Sequence, residues 1–386
     1  MDINLKKEIE TRTLDPDTVY AVIGPELKLR RIRLRKTLKY VAYRICSISY
    51  VSKLESNYLK PNATYLSEIS KRLGMSDVYV STLFGLREVV EEGIKGLLFN
   101  DNKCIKDFIL KKDAYYNYRY RIIIFFDKLY DNDFESCTEI FKELTPIAKT
   151  MINYDFLVFS ILSGIYYYKI GKLKDAHELL ISLINFDMNT NLKGVLYLYL
   201  FYICNALGRP ETIDYYNKAK EVLLFLGSYQ MLDETNYYLA IYYIKNNSYD
   251  YALNIAKSIN DTKRKQTINF LVSYFKNESL RSYNKKNLLG ISKIIYDLKF
   301  DNVMLNSDIE MVKEKSFKID YNQIIVDYLL LSDDLKIIYI FDLIKNNQDI
   351  QDSYVKSFFL NESLKSAKKT GKYKLIYDYY SFCKGE

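Results

Sequence analysis

The sequence predicts an all-α protein, and three observations lead to that prediction. The 386 residues include only 13 glycines and 5 prolines, and no proline follows Pro210. β-Sandwiches and barrels need frequent Gly and Pro turns, so this composition argues against them. A short basic segment near the N-terminus has the apolar spacing of several small helices, and the rest of the chain repeats weakly with helical spacing.

The composition argues against an enzyme or a metalloprotein. His177 is the single histidine, whereas a His-based triad or a multi-His zinc site needs histidine beside specific partners. No Gly-Lys-Ser/Thr phosphate loop and no Gly-x-Gly-x-x-Gly motif occurs. The five cysteines are scattered and form no Cys-x-x-Cys pair, which favours reduced thiols in a cytoplasm. We expect no catalytic site, no metal and no cofactor, and we expect His177 on a helix surface or lining a groove.

The sequence gives no sign of a membrane protein. The N-terminus is charged and lacks the apolar core of a signal peptide. The longest apolar run, Val195–Cys204, reaches about half of a membrane span. A cytoplasmic location is therefore expected.

The positive charge is concentrated in one segment. Between Ile23 and Met75 there are twelve Lys and Arg residues against three acids, a net charge of +9, whereas the whole chain carries +8. A local cluster of cations is the electrostatic footprint of a protein that binds phosphates. A solvated helix face is the alternative for this feature taken alone.

The same segment is patterned as a compact helical domain. A first helix is expected near Pro25, and Thr37 can cap a second helix that ends near Ile45. A short turn and a third helix over 49–56 follow. Leu66, Ile69 and Leu73 give the spacing of a fourth helix, which Gly74 ends. Two short helices joined by a tight turn within four or five match a helix-turn-helix domain.

The stretch Ile45–Glu55, read as Ile-Cys-Ser-Ile-Ser-Tyr-Val-Ser-Lys-Leu-Glu, resembles the Xre/Cro-type helix-turn-helix. It is most similar to the variant found in Gram-positive peptide-pheromone regulators of the PlcR, Rgg and PrgX kind. Ile23-Gly24 and Pro61 agree with the flanks of that motif. Leu38 departs from it, because the family usually has Gln there.

The resemblance implies which side chains would meet DNA. The start of the third helix would contact base edges with Lys53 one turn further on, and the basic cluster would contact phosphates. Simple capping and packing roles for Ser49 and Tyr50 are the alternative. The residues expected to bind DNA are Arg31, Arg35, Lys39, Ser47, Ile48, Ser49, Tyr50 and Lys53.

Beyond residue 100 the sequence repeats in a pattern typical of tetratricopeptide helix pairs. Anchors at Cys137, Ala176, Ile213 and Ala252 lie 39, 37 and 39 residues apart. Such pairs must stack to bury their apolar faces, and they form a right-handed superhelix with a concave groove. In this register Tyr168, Tyr202, Asn205, Tyr237 and Lys245 are expected to line the groove. An asparagine there can bond both N–H and C=O of an extended peptide, as groove asparagines do in the resembled regulators, although an ordinary surface position is the alternative for Asn205.

The predicted fold class is therefore all-α, with an N-terminal helix-turn-helix domain followed by a tetratricopeptide-type right-handed superhelix. The expected regions are an N-terminal extension 1–22, a DNA-binding domain 23–78, a connecting helix 79–100, and a repeat domain 101–386 for sensing and dimerisation.

The expected function is a cytoplasmic transcription regulator of the quorum-sensing type. Its expected partners are a near-palindromic double-stranded DNA operator, a short signalling peptide and a second copy of the chain, with no membrane. The alternative is a scaffold or sequestering receptor for a partner protein. A repressor that senses a small metabolite has no pocket signature in the sequence.

Overall fold

The computed structural model describes Leu5, residues 22–75, 77–111, 117–276 and 278–289, and the positions Ser292, Tyr296 and Lys374. Side chains at 77–85 and 111 are outside that description. Every regular element in these residues is helical, which confirms the predicted all-α fold class. The chain forms two compact units, Met1–Tyr199 and Leu200–Glu386. Most of the predicted extension 1–22 and most of the repeat domain after 289 lie outside the described residues.

Four helices form the N-terminal domain, here called the head (residues 23–75). They are α1 (Ile23–Arg33), α2 (Leu38–Ala42), α3 (Ile48–Glu55) and α4 (Ala63–Arg72). Their shared core includes Leu27, Val41, Val51, Leu54, Ile69 and Leu73, each no more than 2% exposed.

Polar side chains fix where the head's helices begin. Thr37 Oγ1 accepts a hydrogen bond from the Tyr40 N–H at 3.1 Å, as the sequence predicts for a cap of α2. Asn62 Oδ1 caps α4 in the same way, accepting from the N–H groups of Thr64 and Tyr65. Such caps satisfy backbone donors that the first turn of a helix leaves without partners.

The remaining helices follow in chain order. The first unit contains α5 (Asp77–Phe99), α6 (Lys103–Lys111), α7 (Tyr118–Tyr130), α8 (Phe134–Ala148), α9 (Asn153–Lys169) and α10 (Leu173–Ile181), and α11 (Thr190–Leu207) crosses into the second. The second unit continues with α12 (Thr212–Leu226), α13 (Tyr229–Lys245), α14 (Tyr249–Lys257), α15 (Thr262–Phe275) and a 3-10 turn at Lys285–Asn287. Helix α5 covers most of the range predicted for the connecting helix, 79–100.

One left-handed residue follows the first helix of each of four pairs. These residues are Asn132, Gly171, Gly208 and Asn247, with φ between 56° and 78°. They hold the same position of the predicted repeat and are 39, 37 and 39 residues apart. Only Gly, and less often Asn, adopts this conformation at little cost.

Each of these turns closes with the same backbone hydrogen bonds. In the second pair the Lys172 N–H bonds to the Tyr167 carbonyl at 2.9 Å, and the Gly171 N–H bonds to that of Tyr168 at 3.0 Å. This is a Schellman motif, which satisfies the last carbonyls of a helix. The left-handed turns therefore recur at the repeat spacing that weak sequence similarity predicted.

The head docks on α7 and α8 within the first unit. The buried Glu26 carboxylate accepts the Tyr118 N–H at 2.8 Å, at the N-terminus of α7. Glu143 of α8 receives Arg33 from the head and Arg121 from α7. The negative charge of Glu26 suits a helix N-terminus, because backbone dipoles make that end positive.

Candidate nucleic-acid interface and candidate ligand groove

The turn of the helix-turn-helix runs from Tyr43 to Ser47, and a side chain of α4 stabilises it. Arg44 adopts a left-handed conformation with φ 57°, which is uncommon for a residue with a side chain. Arg72 of α4 donates through Nη1 to the Val41 carbonyl at 3.1 Å and to the Tyr43 carbonyl. This guanidinium therefore fixes the end of α2 and the angle at which α3 leaves the turn.

Helix α3, predicted to be the recognition helix, has one buried and one exposed face. Val51 is fully buried and Leu54 is 2% exposed. The exposed residues of the segment 47–53 are Ser47, Ile48, Ser49, Ser52 and Lys53. Four of the five residues expected to contact bases or the nearby backbone therefore reach solvent.

Tyr50 holds the head together, although it was expected at base edges. Its hydroxyl accepts the Asn62 N–H at 2.8 Å, and its ring packs edge-on against Tyr65 with centroids 5.2 Å apart. Ser47 also has a structural contact, because its Oγ accepts the Tyr50 N–H and caps α3. The geometry thus favours the packing alternative for Tyr50, and it leaves the proposed base contact untested.

Arg31, expected on DNA phosphates, is paired inside the head. Its Nε and Nη2 each donate to a different carboxylate oxygen of Glu55 at 2.7 Å, and its Nη1 bonds to the Lys36 carbonyl. The side chains of Arg31 and Glu55 are 15% and 4% exposed. A bidentate pair of this kind joins α1 to the end of α3.

Four exposed cations of the head lie on α2 and in the turns that flank it. They are Arg35, Lys36, Lys39 and Arg44, and Lys53, Lys60 and Lys71 are exposed elsewhere in the head. Arg35 and Arg44 both have positive φ, so two turns present arginine where conformation alone favours glycine. Arg30 is used internally, because its Nε donates to the Leu73 carbonyl at 3.0 Å.

Two exposed tyrosines lie among these cations, and neither was predicted from the sequence to bind DNA. Tyr40 and Tyr43 are 45% and 58% exposed. Lys36 lies 4.5 Å from the centre of the Tyr40 ring, and Arg44 lies 5.2 Å from that of Tyr43. Surfaces that bind nucleic acid often combine basic and aromatic side chains. The adjacent pairs Lys39-Tyr40 and Tyr43-Arg44 could therefore have indicated these tyrosines from the sequence.

The second site lies between α11 and α13 in the second unit. Asn205 is 3% exposed, and its Nδ2 donates to the Tyr238 carbonyl at 2.7 Å. Lys245 Nζ donates to both the carbonyl and Oδ1 of Asn205 at 3.2 Å. The amide predicted to hold a peptide is thus bonded to the neighbouring helix at two points about two turns apart.

Tyrosines surround this asparagine. The Tyr202 hydroxyl contacts Met231 Sδ at 3.6 Å, and its ring meets that of Tyr238 with centroids 5.1 Å apart. Tyr237 packs edge-on against Tyr238. Burial raises the pKa of the Tyr237 hydroxyl well above its usual range, so it is a neutral hydrogen-bonding group at physiological pH. The second unit therefore brings together four of the five predicted groove residues, Tyr202, Asn205, Tyr237 and Lys245.

Tyr168, the fifth predicted groove residue, belongs to the first unit. It is partly buried and its ring meets that of Tyr199 edge-on, with centroids 6.0 Å apart. The neighbouring Lys169 donates through Nζ to the Leu129 carbonyl at 2.7 Å and to Asn132 Oδ1 at 2.9 Å. Desolvation lowers the pKa of this lysine. It occupies the repeat position that Lys245 holds two repeats later.

The part of the chain that the structure describes contains no helix long and apolar enough to cross a membrane. In the same residues, no group of three His, Cys, Asp or Glu side chains is placed to share a metal ion. His177 in α10 is 5% exposed, so the expectation of a surface or groove position was wrong. The nearby Leu179 and Leu180 are fully buried, so this histidine belongs to a buried stretch of its helix.

Comparison with known proteins gives little further guidance. No protein-family model matches the chain, and no curated protein matches it. Among solved structures it is similar to PlcR of Bacillus thuringiensis in complex with the peptide PapR7 and DNA. That match has a TM-score of 0.35 and 18% sequence identity, and it covers 67% of this chain and 98% of that one.

Replacing Arg31 by Ala should destabilise the head, whereas replacing Arg35 should not. The Arg31 change leaves the nearly buried Glu55 carboxylate without its counter-ion, at a cost of about 3 kcal/mol. Arg35 is exposed, and its removal should change the free energy of unfolding by less than about 0.5 kcal/mol. Denaturant unfolding of both full-length variants, followed by circular dichroism, measures the difference. Equal stability of the two variants would contradict the structural role of Arg31.

Replacing Asn205 by Ala should lower the free energy of unfolding by about 1–3 kcal/mol, because the Tyr238 carbonyl and the Lys245 ammonium each lose a partner. Asn217 on α12 is exposed, so Asn217→Ala is the matched control and should have little effect. Thermal and denaturant unfolding of the full chain give both values. An Asn205→Ala protein as stable as the control would mean that these hydrogen bonds do not hold α11 to α13.

Proposed function

We propose that this chain is a sequence-specific DNA-binding transcription regulator that acts in the cytoplasm and is controlled by a short signalling peptide, as in quorum sensing. The DNA part is supported by one arrangement above all. An exposed recognition-helix surface, from Ser47 to Lys53, lies beside four exposed cations on α2 and its flanking turns. Arg72 and the Arg31–Glu55 pair hold that arrangement in place.

The DNA contacts divide into two kinds. Ile48, Ser49 and Lys53 are proposed to meet base edges or the backbone beside them, and Ser47 is proposed to do so while capping α3. Arg35 and Lys39 are proposed to contact phosphates. Phosphate contacts position a protein on any duplex, whereas base contacts select a sequence. Tyr50 and Arg31 are proposed to act on DNA through the shape of the head.

A homodimer on a near-palindromic operator is part of the proposal. One helix-turn-helix reads a half-site, so two heads related by two-fold symmetry would give useful affinity. Leu224, Phe225 and Tyr229 of the second unit are 46%, 78% and 65% exposed. Exposed apolar side chains of this kind suit a subunit contact.

The peptide is proposed to bind at the tyrosine-lined face around Asn205 in the second unit. The proposal is supported by aromatic side chains beside an amide and an ammonium, which can supply both contact area and hydrogen bonds. Tyr168 lies in the first unit, and its role as a peptide contact stays a prediction of the repeat register.

A scaffold or sequestering receptor is the second candidate function. The exposed Leu224 and Phe225 favour it as much as they favour a dimer, because they suit any apolar partner surface. A scaffold does not require the exposed cations of the head. Sequence-specific DNA binding that weakens steeply with salt therefore separates the two functions.

Replacing Ser49 and Lys53 together with Ala should weaken binding to a selected operator while leaving random duplex DNA nearly unaffected. The expected reduction is about 1–3 kcal/mol for each base contact removed. Arg35→Ala with Lys39→Ala should weaken both kinds of DNA, and the slope of affinity against salt should fall by nearly one for each phosphate that is no longer neutralised. The operator comes from selection on a random duplex pool, and titrations at several salt concentrations give the affinities.

Lys142→Ala with Lys220→Ala is the control for those titrations, since both lysines are exposed and lie outside the head. It should bind like the unmodified chain. Equal weakening on operator and random DNA for both head variants would overturn the division into base and phosphate contacts.

A short peptide that binds the second unit should change the affinity of the full-length chain for its operator. If the Asn205 amide binds the peptide backbone, Asn205→Ala should weaken peptide binding by about 1–3 kcal/mol. Lys169→Ala removes a similar contact between helices in the first unit, so it is the control and should leave peptide affinity unchanged. Calorimetry of peptides selected from a random library measures both. Equal weakening by the two substitutions would remove Asn205 as a ligand contact, and failure of every bound peptide to alter DNA affinity would end the pheromone proposal.

A further inference from the structure

The recognition helix lacks the side chains that most often read purines. The sequence of α3, Ile-Ser-Tyr-Val-Ser-Lys-Leu-Glu, contains no Arg, Asn or Gln. Those residues, together with Lys, make the contacts that identify guanine and adenine in the major groove. Lys53 is the single cation of the helix and lies in its last turn. Base readout by the start of this helix must therefore use other chemistry.

Internal contacts reduce the polar choices further. The Ser47 oxygen caps the helix by accepting the Tyr50 N–H at 3.1 Å. The Tyr50 hydroxyl is bonded to the Asn62 backbone, and its ring lies against Tyr65. What remains exposed on the helix before Lys53 is Ile48 and the short hydroxyl side chains of Ser49 and Ser52.

Ile48 is the apolar residue of α3 that the head does not use. Val51 and Leu54 of the same helix are 0% and 2% exposed, whereas Ile48 is 49% exposed. It is the first residue of the helix, directly after the Ser47 cap that ends the short turn containing the left-handed Arg44. In a helix-turn-helix, this is the end of the recognition helix that approaches the base edges.

We propose that Ile48 reads a thymine by packing against its C5-methyl group in the major groove. This inference rests on the proposed DNA-binding function. Thymine is the base that presents an apolar group in the major groove, and apolar side chains recognise it there. The serines on both sides of Ile48 are short, so the isoleucine can reach a base edge without a longer neighbour holding the helix away. Binding would remove water from an aliphatic side chain that the free head leaves half exposed.

The chemistry can be tested one methyl group at a time. In the selected operator, each thymine is replaced singly by uracil, which keeps all hydrogen-bonding groups and lacks the methyl. For the full-length chain, one position in each half-site should show an affinity about 3- to 5-fold weaker, the size expected for one buried methyl group. The Ile48→Ala protein should bind the unmodified operator at least about 3- to 5-fold more weakly than the unmodified chain does. Its affinity should not fall further when that thymine is replaced by uracil.

Two variants control this experiment. Ile48→Val shortens the side chain by one carbon. This variant should keep part of the loss of affinity that replacing thymine by uracil causes, here called the uracil penalty. Ile32 of α1 is also exposed, at 38%, and Ile32→Ala should keep the full penalty. A uracil penalty of the same size in Ile48→Ala, or no sensitive thymine in the operator, overturns the thymine contact while the DNA-binding function stands. If selection yields no preferred sequence, the proposed function fails and the inference fails with it.

Discussion

The helical pairs depend on a single backbone conformation that recurs once in each of them. Asn132, Gly171, Gly208 and Asn247 each take a left-handed φ where the first helix of a pair ends. Most residues with a Cβ pay about 1–2 kcal/mol for that conformation, whereas Gly avoids this cost and the short polar side chain of Asn reduces it. The turn reverses the chain within a few residues, so the second helix must return along the first. The apolar positions can therefore vary widely between repeats while the pairs keep their geometry.

The sequence predicts well those features that depend on residues close together in the chain. The Thr37 cap depends on neighbours within a few residues, and so do the repeat turns, which recur at the spacing of the predicted anchors. Roles set by distant partners were not predictable. Arg31 meets Glu55 24 residues later, and Asn205 meets a lysine 40 residues later. A basic run or a lone asparagine looks the same in sequence whether it faces solvent or a partner, so composition could not separate these cases.

The head is docked on α7 and α8 by polar contacts with partners that are distant in sequence. Glu26 is fully buried, and its carboxylate is stabilised by a backbone N–H at the positive end of α7. Gly24 permits the close approach of α1 and the end of α3, since a Cβ there would lie 2.5 Å from the Leu54 carbonyl oxygen. Asn57 adds a bond from its amide to the Thr150 carbonyl at 2.6 Å. The head is thus fixed to α7 and α8 through polar contacts that need specific geometry, so a shift of those helices would carry the head with it.

Two lysines of the repeats connect neighbouring helix pairs. Lys169 and Lys245 hold the same repeat position, and each donates to a carbonyl 40 residues earlier, at the end of the first helix of the preceding pair. An ammonium suits that location, because the C-terminus of a helix carries partial negative charge. In the second unit the acceptor residue is Asn205, whose amide also bonds to Tyr238. A peptide that took hydrogen bonds from this amide would compete with the contacts that hold α11 to α13. Ligand binding and helix packing would then share the same atoms, which gives the ligand a different affinity for two arrangements of the helices, the condition that any switch requires.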